Sequence, residues 1–243
     1  MQRIRLGIIQ VNHDKTPEVG DKFPDDAHRF RDLFDALDDV RFTYQVYMTI
    51  GGVLPEDVDE QDAYLITGSP LSVLDESLDW LPDLFDFIRK CDAAEKPLIG
   101  TCFGHQAIAK ALGGEVVEAT VGWNVGVESH KLVKHKDWMD ADVAELPLYV
   151  FHQDQVTRMP EGCELLGTSN KCPIAAFSKG KHIFTTQAHP EFNDPFMRAV
   201  VDFCCEYFSE EEYESIVATL DDQQQGALFA QWAARFIQGE AAA

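Results

Sequence analysis

Short apolar runs alternate with longer amphipathic segments over the first half of the chain. A continuously apolar run that is bounded by turn residues predicts a strand buried on both faces. Such runs occupy residues 3–11, 41–50, 63–67 and 97–101. Helices are predicted where apolar residues recur three and four positions apart. These segments are residues 25–38, 81–88 and 104–112. The alternation predicts an α/β fold with an open, mostly parallel sheet and helices on both faces.

The second half of the chain has a different pattern. Strand-like runs follow one another closely with turn residues between them, which predicts antiparallel strands appended to the parallel sheet. These runs are residues 125–133, 148–151, 174–177 and 182–186. From Pro195 onward, three apolar stripes at helical spacing predict a helical C-terminal extension. We therefore expect one domain over residues 1–195, with an extension over residues 196–243 packed on it.

Composition and charge narrow the class of protein. The 243 residues are 45% hydrophobic and 26% charged, which is ordinary for a folded domain with a sizeable core. The 42 acidic residues outnumber the 20 Lys and Arg, so the net charge is −22. Binding to nucleic acid or to an anionic membrane needs clustered positive charge, so neither is predicted. The acidic surface indicates good solvation, and attraction of a cationic substrate is the alternative interpretation.

No targeting or cofactor signature emerges from the sequence. No stretch approaches the roughly 18–20 apolar residues of a membrane-spanning helix, and no signal-peptide pattern opens the chain. We expect a cytoplasmic protein in which most of the six cysteines are buried thiols. Neither the cysteines nor the histidines have metal-ligand spacing, and no glycine-rich phosphate-binding signature is found. Neither a metal nor a cofactor is predicted.

One cysteine stands between two glycines at a predicted strand-to-helix turn. The segment is Gly100-Thr101-Cys102-Phe103-Gly104. Glycines two positions on either side of a nucleophile permit a sharp turn, which presents the side chain at the carboxyl edge of the sheet. The following helix N-terminus would favour the thiolate of Cys102, and the N–H of Phe103 would be free to stabilise an oxyanion. A buried structural cysteine is the competing interpretation.

A histidine and a glutamate, separated by one residue, follow the last predicted strand. In an extended chain such residues point to the same side, so Glu191 can orient His189. A nucleophile needs a base, and the base needs an orienting group; Cys102, His189 and Glu191 supply all three. Each residue alone fits an ordinary structural role. Their joint occurrence at predicted strand ends favours a catalytic triad.

Both segments closely resemble the motifs of a known enzyme family. GTCFGHQ at residues 100–106 and AHPEF at residues 188–192 are similar to the nucleophile and His-x-Glu motifs of class I (triad) glutamine amidotransferases. This glutaminase domain is found in GMP synthetase, anthranilate synthase, CTP synthase and carbamoyl-phosphate synthetase. The resemblance covers about residues 7–192, including the loop at residues 68–70 and the segment FHQDQV at residues 151–156. It implies the flavodoxin-like fold of that family.

The resemblance implies a mechanism and the residues that perform it. Cys102 attacks the γ-carbonyl of a glutamine-like amide, His189 accepts the thiol proton and returns it to the leaving amine, and Glu191 orients His189. The amides of Gly68 and Phe103 form the oxyanion hole. Water then hydrolyses the γ-glutamyl thioester and releases glutamate.

Substrate-binding residues are also implied by the resemblance. They are Gln106, Trp123, His152, Gln153 and Asp154. For His152 and Asp154 an equal alternative is that they only shape their loop, and Trp123 fits a core position equally well. Phe151 stands where many relatives have Ser, so no side-chain contact is assigned to it.

The sequence leaves open how the domain is used. No segment predicts a second catalytic domain, so the first hypothesis is a stand-alone γ-glutamyl hydrolase, similar to plant γ-glutamyl peptidases and bacterial γ-glutamyl-polyamine hydrolases. Its substrate would be glutamine, a γ-glutamyl peptide or a γ-glutamyl-polyamine. The second hypothesis is a glutaminase subunit that delivers ammonia to a separate synthetase chain, with the helical extension or the segment near Trp123 as the docking surface. A non-catalytic binding protein on this fold is the third.

Overall fold

Eleven strands and six α-helices make up the part of the chain that the computed structural model describes, residues 2–120 and 122–242. The strands are β1 (Gln2–Gln10), β2 (Val40–Met48), β3 (Ala63–Ile66), β4 (Leu98–Thr101), β5 (Glu115–Glu118), β6 (Asn124–Leu132), β7 (Glu145–His152), β8 (Asp154–Arg158), β9 (Cys163–Thr168), β10 (Ala176–Lys179) and β11 (Ile183–Thr186). The helices are α1 (Asp26–Asp35), α2 (Leu81–Ala93), α3 (Phe103–Ala111), α4 (Asp194–Phe203), α5 (Glu210–Thr219) and α6 (Gly226–Gln238). Within these ranges no helix is long and apolar enough to cross a membrane.

Nine of the strands form one sheet in the order β2-β1-β3-β4-β11-β10-β9-β6-β7. The first five of these are parallel to one another, and the last four continue the sheet in antiparallel pairings. β5 and β8 form a separate antiparallel pair. The predicted fold class is confirmed, including the antiparallel strands added to the parallel part.

The sequence pattern does not predict every strand of the structure. β5, β8 and β9 are not among the predicted strands, and β10 begins at Ala176 rather than at residue 174. β5 and β8 are four and five residues long and carry several exposed polar side chains. Strands of this kind are stabilised by the partner strand and its packing, which a local pattern cannot specify.

Side-chain caps set where three of the helices begin. The carboxylate of Asp25 accepts the N–H of His28 at 2.9 Å and so satisfies a free donor at the start of α1. Asn193 caps α4 in the same way. Ser209 and Glu212 form a capping box at α5, in which each side chain accepts the backbone N–H of the other residue. The cap at Asn193 places α4 directly after the segment that carries His189.

The two faces of the sheet are covered by different helices. Phe184 on β11 stacks on Phe229 of α6, with ring centroids 5.1 Å apart, in a cluster that also includes α1. The preceding residue, Ile183, belongs to the cluster on the opposite face, with α2 and α3. Trp232 of α6 is buried, and its indole N–H donates to the Asp140 carboxylate at 2.7 Å. Helix α6, from the end of the sequence, thus completes the core of one face.

Candidate active site

The strand-to-helix turn at Cys102 is sharp and strained. Cys102 has φ 48° and ψ −104°, and only one other non-glycine residue of the described ranges, Glu95, has a positive φ. Its N–H donates to the Thr186 carbonyl on β11 at 2.9 Å. A β-carbon on Gly100 would lie 2.6 Å from the backbone carbonyl of Gly104, so β4 and α3 meet this closely because residue 100 is glycine. A β-carbon on Gly104 would lie 2.4 Å from the Ile66 carbonyl oxygen, so this second glycine lets α3 approach β3. The turn fixes the sulfur at the carboxyl edge of the parallel strands.

The strand order brings a histidine to this sulfur. β11 lies parallel beside β4, so the segment that follows β11 meets the turn that follows β4. The N–H of His189 donates to the Tyr149 carbonyl at 2.8 Å, which anchors the segment to β7. The Nδ1 atom of His189 lies 2.9 Å from Oε1 of Glu191, and the charge of the Cys102 sulfur acts on the same ring. The structure therefore brings Cys102, His189 and Glu191 together.

Burial and charge act in opposite directions on His189. Burial disfavours the imidazolium and would lower its pKa, but the negative charges of the Cys102 sulfur and the Glu191 carboxylate outweigh burial and raise the pKa of His189 to about 10. The cation on His189 is flanked by these two anionic groups. An imidazolium that lies beside a cysteine sulfur and a carboxylate is an arrangement that suits nucleophilic chemistry.

The His189 ring is held tightly by its neighbours. Phe192 stacks on it with ring centroids 4.0 Å apart and planes 17° apart. Phe192 in turn packs edge-on against Phe196 of α4, at 4.6 Å between centroids. Gly68 approaches the ring so closely that a β-carbon there would lie 2.5 Å from Cε1 of His189 and 3.6 Å from Cβ of Cys102. The imidazole therefore has little freedom to rotate.

The two residues predicted to form the oxyanion hole lie beside the nucleophile. Phe103 directly follows Cys102 and is the first residue of α3, where backbone N–H groups have no partner within the helix. Gly68 follows β3, the strand adjacent to β4, and lies against Cys102 and His189. Their positions suit donors to an oxyanion, and that role stays a prediction.

Gln106 and the turn between β7 and β8 are also close to the nucleophile. Gln106 lies one helical turn after Cys102 and is buried, and its Nε2 donates to the Asp154 carbonyl at 2.8 Å. Nδ1 of His152 lies 3.0 Å from the same carbonyl oxygen. Burial lowers the pKa of His152 to about 4, so this ring is neutral near pH 7. Gln106 and His152 thus converge on the backbone of the turn.

The polar side chains of this turn have protein partners. The carboxylate of Asp154 accepts a hydrogen bond from the Ser72 hydroxyl. The amide of Gln153 donates to Glu118 at 2.6 Å. These contacts agree with the interpretation that the side chains shape the loop. A role of His152, Gln153 and Asp154 in substrate binding stays a prediction.

Trp123 belongs to a group of four rings that we call the aromatic cluster: Trp123, Phe151, Tyr207 and Phe208. Trp123 stacks on Tyr207 with centroids 5.6 Å apart and planes 8° apart, and it meets Phe151 edge-on at 5.5 Å. The carbonyl oxygen of Phe151 lies 3.9 Å from the Cys102 sulfur. Tyr207 is exposed, and Trp123 is only half-buried. Trp123 is therefore linked to the nucleophile through Phe151, and it packs at the edge of a buried cluster that includes residues of α4.

Sequence reasoning missed three residues near the site, namely Gln187, Tyr207 and Phe208. Gln187 stands two positions before His189, and the alternation that pairs residues 189 and 191 also indicates that residue 187 faces the same side. Tyr207 and Phe208 carry no local signal, because their place beside Trp123 depends on how the C-terminal extension packs.

The described residues form no metal centre. In residues 2–120 and 122–242, no group of three or more His, Cys, Asp or Glu side chains is placed to hold a metal ion. The groups that surround the sulfur of Cys102 are an imidazole, a side-chain amide and a backbone carbonyl. These groups suit nucleophilic and acid–base chemistry.

The chain is similar in sequence to a known enzyme family and to several of its members. The model of the family described as glutamine amidotransferase class-I matches residues 31–197. γ-Glutamyl peptidase 3 of Arabidopsis thaliana is 34% identical over 167 residues, which cover 65% of this chain and 67% of that protein. γ-Glutamyl peptidase 2 of the same plant is 30% identical over 179 residues, or 71% of each chain. A glutamine-hydrolysing GMP synthase of Streptococcus mutans is 35% identical over 130 residues, which cover 52% of this chain and 24% of that one.

Solved structures share the fold. The crystal structure of a glutamine amidotransferase from Thermotoga maritima superposes with a TM-score of 0.74 at 18% identity, covering 97% of this chain and 98% of the other. The crystal structure of a glutamine amidotransferase from Methylobacillus flagellatus also gives 0.74, at 24% identity, covering 98% and 96%. At these identities the likeness establishes the architecture, and it extends through the C-terminal helices.

Proposed function

This chain belongs to the class-I glutamine amidotransferase family, and from that premise we propose that it hydrolyses γ-glutamyl amide bonds by itself, with Cys102, His189 and Glu191 as its catalytic residues. The observation that carries the proposal is the position of His189, which hydrogen-bonds to the Glu191 carboxylate and lies beside Cys102, with Gly68 packed against both residues. The γ-glutamyl peptidases among its relatives support the same bond class.

The first half of the reaction forms a thioester. The thiolate of Cys102 attacks the γ-carbonyl carbon, a C–S bond forms, and the carbonyl oxygen becomes an oxyanion that accepts hydrogen bonds from the N–H groups of Gly68 and Phe103. As the oxyanion collapses, the C–N bond breaks and the His189 imidazolium gives its proton to the leaving amine. The products are a γ-glutamyl thioester on Cys102 and a free amine.

The second half regenerates the thiolate. Neutral His189 takes a proton from water while the water oxygen adds to the thioester carbonyl. The C–S bond then breaks, glutamate leaves, and the Cys102 thiolate is again paired with the His189 imidazolium. Glu191 holds Nδ1 of His189 throughout, so that Nε2 faces the reacting atoms.

Recognition of the γ-glutamyl part is assigned to Gln106 and to the turn at His152, Gln153 and Asp154. These residues lie beside the nucleophile, and the turn can offer backbone donors and acceptors where its side chains are already engaged. Trp123, which is half-buried and near Phe151, is assigned to covering the bound substrate. The leaving group is an amine, and the relatives support a γ-glutamyl peptide as the amide donor.

The test measures glutamate release by the purified protein alone. Glutamine, γ-glutamyl peptides and γ-glutamyl-polyamines are offered in parallel, and Cys102→Ala is the loss-of-function variant. Cys163→Ala, which removes a half-buried thiol on β9, is the matched control. We expect release from at least one amide, unchanged in Cys163→Ala and abolished in Cys102→Ala. Release that persists in Cys102→Ala would rule out the proposed nucleophile.

A second candidate function is a glutaminase subunit. The match to a glutamine-hydrolysing GMP synthase over only 24% of that protein favours it, since the chain then corresponds to a part of a larger enzyme. In this case the pure protein hydrolyses none of the γ-glutamyl amides and releases glutamate only after a synthetase chain is added. The same assay therefore separates the two candidates.

A further inference from the structure

A buried glutamine that has no part in the mechanism above contacts the nucleophile. Gln187 directly follows β11 and has no exposed surface. Its backbone N–H donates to the Ala175 carbonyl at 2.8 Å, which holds the main chain in place. Its side-chain Nε2 donates to the sulfur of Cys102 at 3.7 Å. A fixed polar group is thus aimed at the reacting atom.

Neighbouring groups dictate which end of this amide faces the sulfur. The carbonyl oxygen of Asp154 can only accept, so the Gln106 side-chain atom 2.8 Å away from it must be the nitrogen. The same nitrogen lies 3.2 Å from Oε1 of Gln187. The oxygen of Gln187 therefore faces Gln106, and its NH2 group faces Cys102. Flipping the Gln187 amide would set two NH2 groups against each other.

We propose that Gln187 stabilises the thiolate of Cys102 by donating a side-chain hydrogen bond to its sulfur. A hydrogen bond to an ionised acceptor is about twice as strong as one between neutral groups, so this contact favours the thiolate over the thiol. The carbonyl oxygen of Phe151, 3.9 Å from the same sulfur, has the opposite effect, because it accepts from a thiol and repels a thiolate. The hydrogen bond from Gln187 offsets the repulsion between that carbonyl oxygen and the thiolate.

An amide suits this position because it has no proton to exchange near neutral pH. It can favour the thiolate without competing with His189 for the proton that moves during catalysis. Its effect is greatest when the sulfur carries charge, at the attack and again when the thiolate leaves the thioester. The inference rests on the proposed function, in which Cys102 is the nucleophile.

The experiment measures ionisation of the sulfur without any substrate. Cys102 is alkylated with iodoacetamide over a series of pH values, and the extent at Cys102 alone is read by mass spectrometry of its peptide. The variants are Gln187→Met, which keeps the length and removes the donor, and the nearly isosteric Gln187→Glu. Gln10→Met is the matched control, since Gln10 is also fully buried at the end of a parallel strand and makes two hydrogen bonds. Thermal unfolding checks that each variant is folded.

We expect the midpoint of alkylation in Gln187→Met to move upward by about one pH unit, the size of one charge-assisted hydrogen bond. Gln187→Glu should move it further, because a carboxylate repels the thiolate. The limiting rate at high pH should be unchanged, and Gln10→Met should follow the parent protein. If Gln187→Met does not fold, the alkylation midpoint of Gln187→Glu tests the proposal. A folded Gln187 variant with the parental alkylation profile overturns the proposal.

The alkylation experiment needs no substrate, so its failure can be distinguished from failure of the proposed function. A shifted midpoint in a protein that cleaves no γ-glutamyl amide supports the role of Gln187 and rejects the stand-alone hydrolase. Where hydrolysis is present, the acid limb of the kcat/KM profile in Gln187→Met should move to higher pH by about as much as the alkylation midpoint does. A loss that is equal at every pH points to a structural defect and contradicts the proposal.

Discussion

Gly68 lies so close to His189 that a β-carbon at position 68 would stand 2.5 Å from Cε1 of the imidazole. Real β-carbons do not approach a ring this closely, so any other residue would have to displace the histidine or the loop that follows β3. The contact ties the position of His189 to the loop at residues 68–70. It also explains why this loop, distant in sequence, belongs to the site.

Gly68→Ala is expected to inactivate the protein while leaving it folded. Displacing His189 breaks its contact with the Cys102 sulfur, and losing a positioned acid–base group costs about 10²–10⁴-fold in rate. The measurement is kcat/KM for the best γ-glutamyl amide, together with thermal unfolding. Gly51→Ala is the matched control, because a β-carbon there meets nothing within 4 Å. Parental activity in Gly68→Ala would show that the imidazole is not held by this contact.

Glu191→Gln should change both the rate and its pH dependence. The Glu191 carboxylate and the Cys102 sulfur together raise the pKa of His189 to about 10 against the effect of burial. His189 must be protonated to give a proton to the leaving amine, so activity is lost as the pH rises through the pKa of His189. Without the negative charge at Glu191 that pKa falls, and the alkaline limb of kcat/KM moves to lower pH.

Rates measured from pH 6 to 10.5 check this expectation. The loss near neutral pH should be about 10²–10⁴-fold, as for removal of a group that supports acid–base catalysis. Glu164→Gln is the control, since Glu164 is bonded to Lys134 and Lys136 on a different part of the sheet. An alkaline limb that stays in place in Glu191→Gln would mean that the carboxylate does not set the charge of the imidazole.

Trp123→Ala and Tyr207→Ala are expected to weaken substrate binding more than turnover. The two rings stack on each other, so removing Tyr207 also leaves Trp123 unsupported. Losing an aromatic contact of about 1 kcal/mol corresponds to a several-fold rise in KM with little change in kcat. Steady-state kinetics separate the two parameters. Phe203→Ala, which removes an exposed ring at the end of α4, should leave both unchanged; a parental KM in Trp123→Ala would exclude the covering role.

Deleting residues 225–243 should prevent folding, because α6 fills the core beneath the sheet. Phe229, Trp232 and Phe236 of α6 are buried, and burying one aromatic side chain contributes about 1.5–3 kcal/mol. The three together contribute about 5–9 kcal/mol, which is comparable to the whole 5–15 kcal/mol free energy of unfolding of a typical domain. Soluble yield and thermal unfolding test the truncation. A chain that ends at Gly239, which keeps the whole of α6, is the control and should unfold at the parental temperature.

The local chemistry and the layer architecture can be predicted from the amino-acid sequence alone. Apolar periodicity records which residues are buried, so it yielded the parallel strands and the helices on both faces. The strand–Cys102–helix turn and the spacing of His189 and Glu191 are local features, and the structure places them as that spacing predicts. The allowed backbone conformations restrict how residues that are close in sequence can be placed relative to one another.

Contacts between distant segments became evident from the three-dimensional structure. The pairing of β11 with β4 brings His189 and Gln187 to Cys102, and the packing of the C-terminal extension brings Tyr207 to Trp123. β5 and β8 exist because they pair with each other. Such contacts depend on the order of the strands and on burial over the whole core. A periodic pattern along the chain contains no information on either. The physical reason is that a local pattern states that a face is buried without stating which partner buries it.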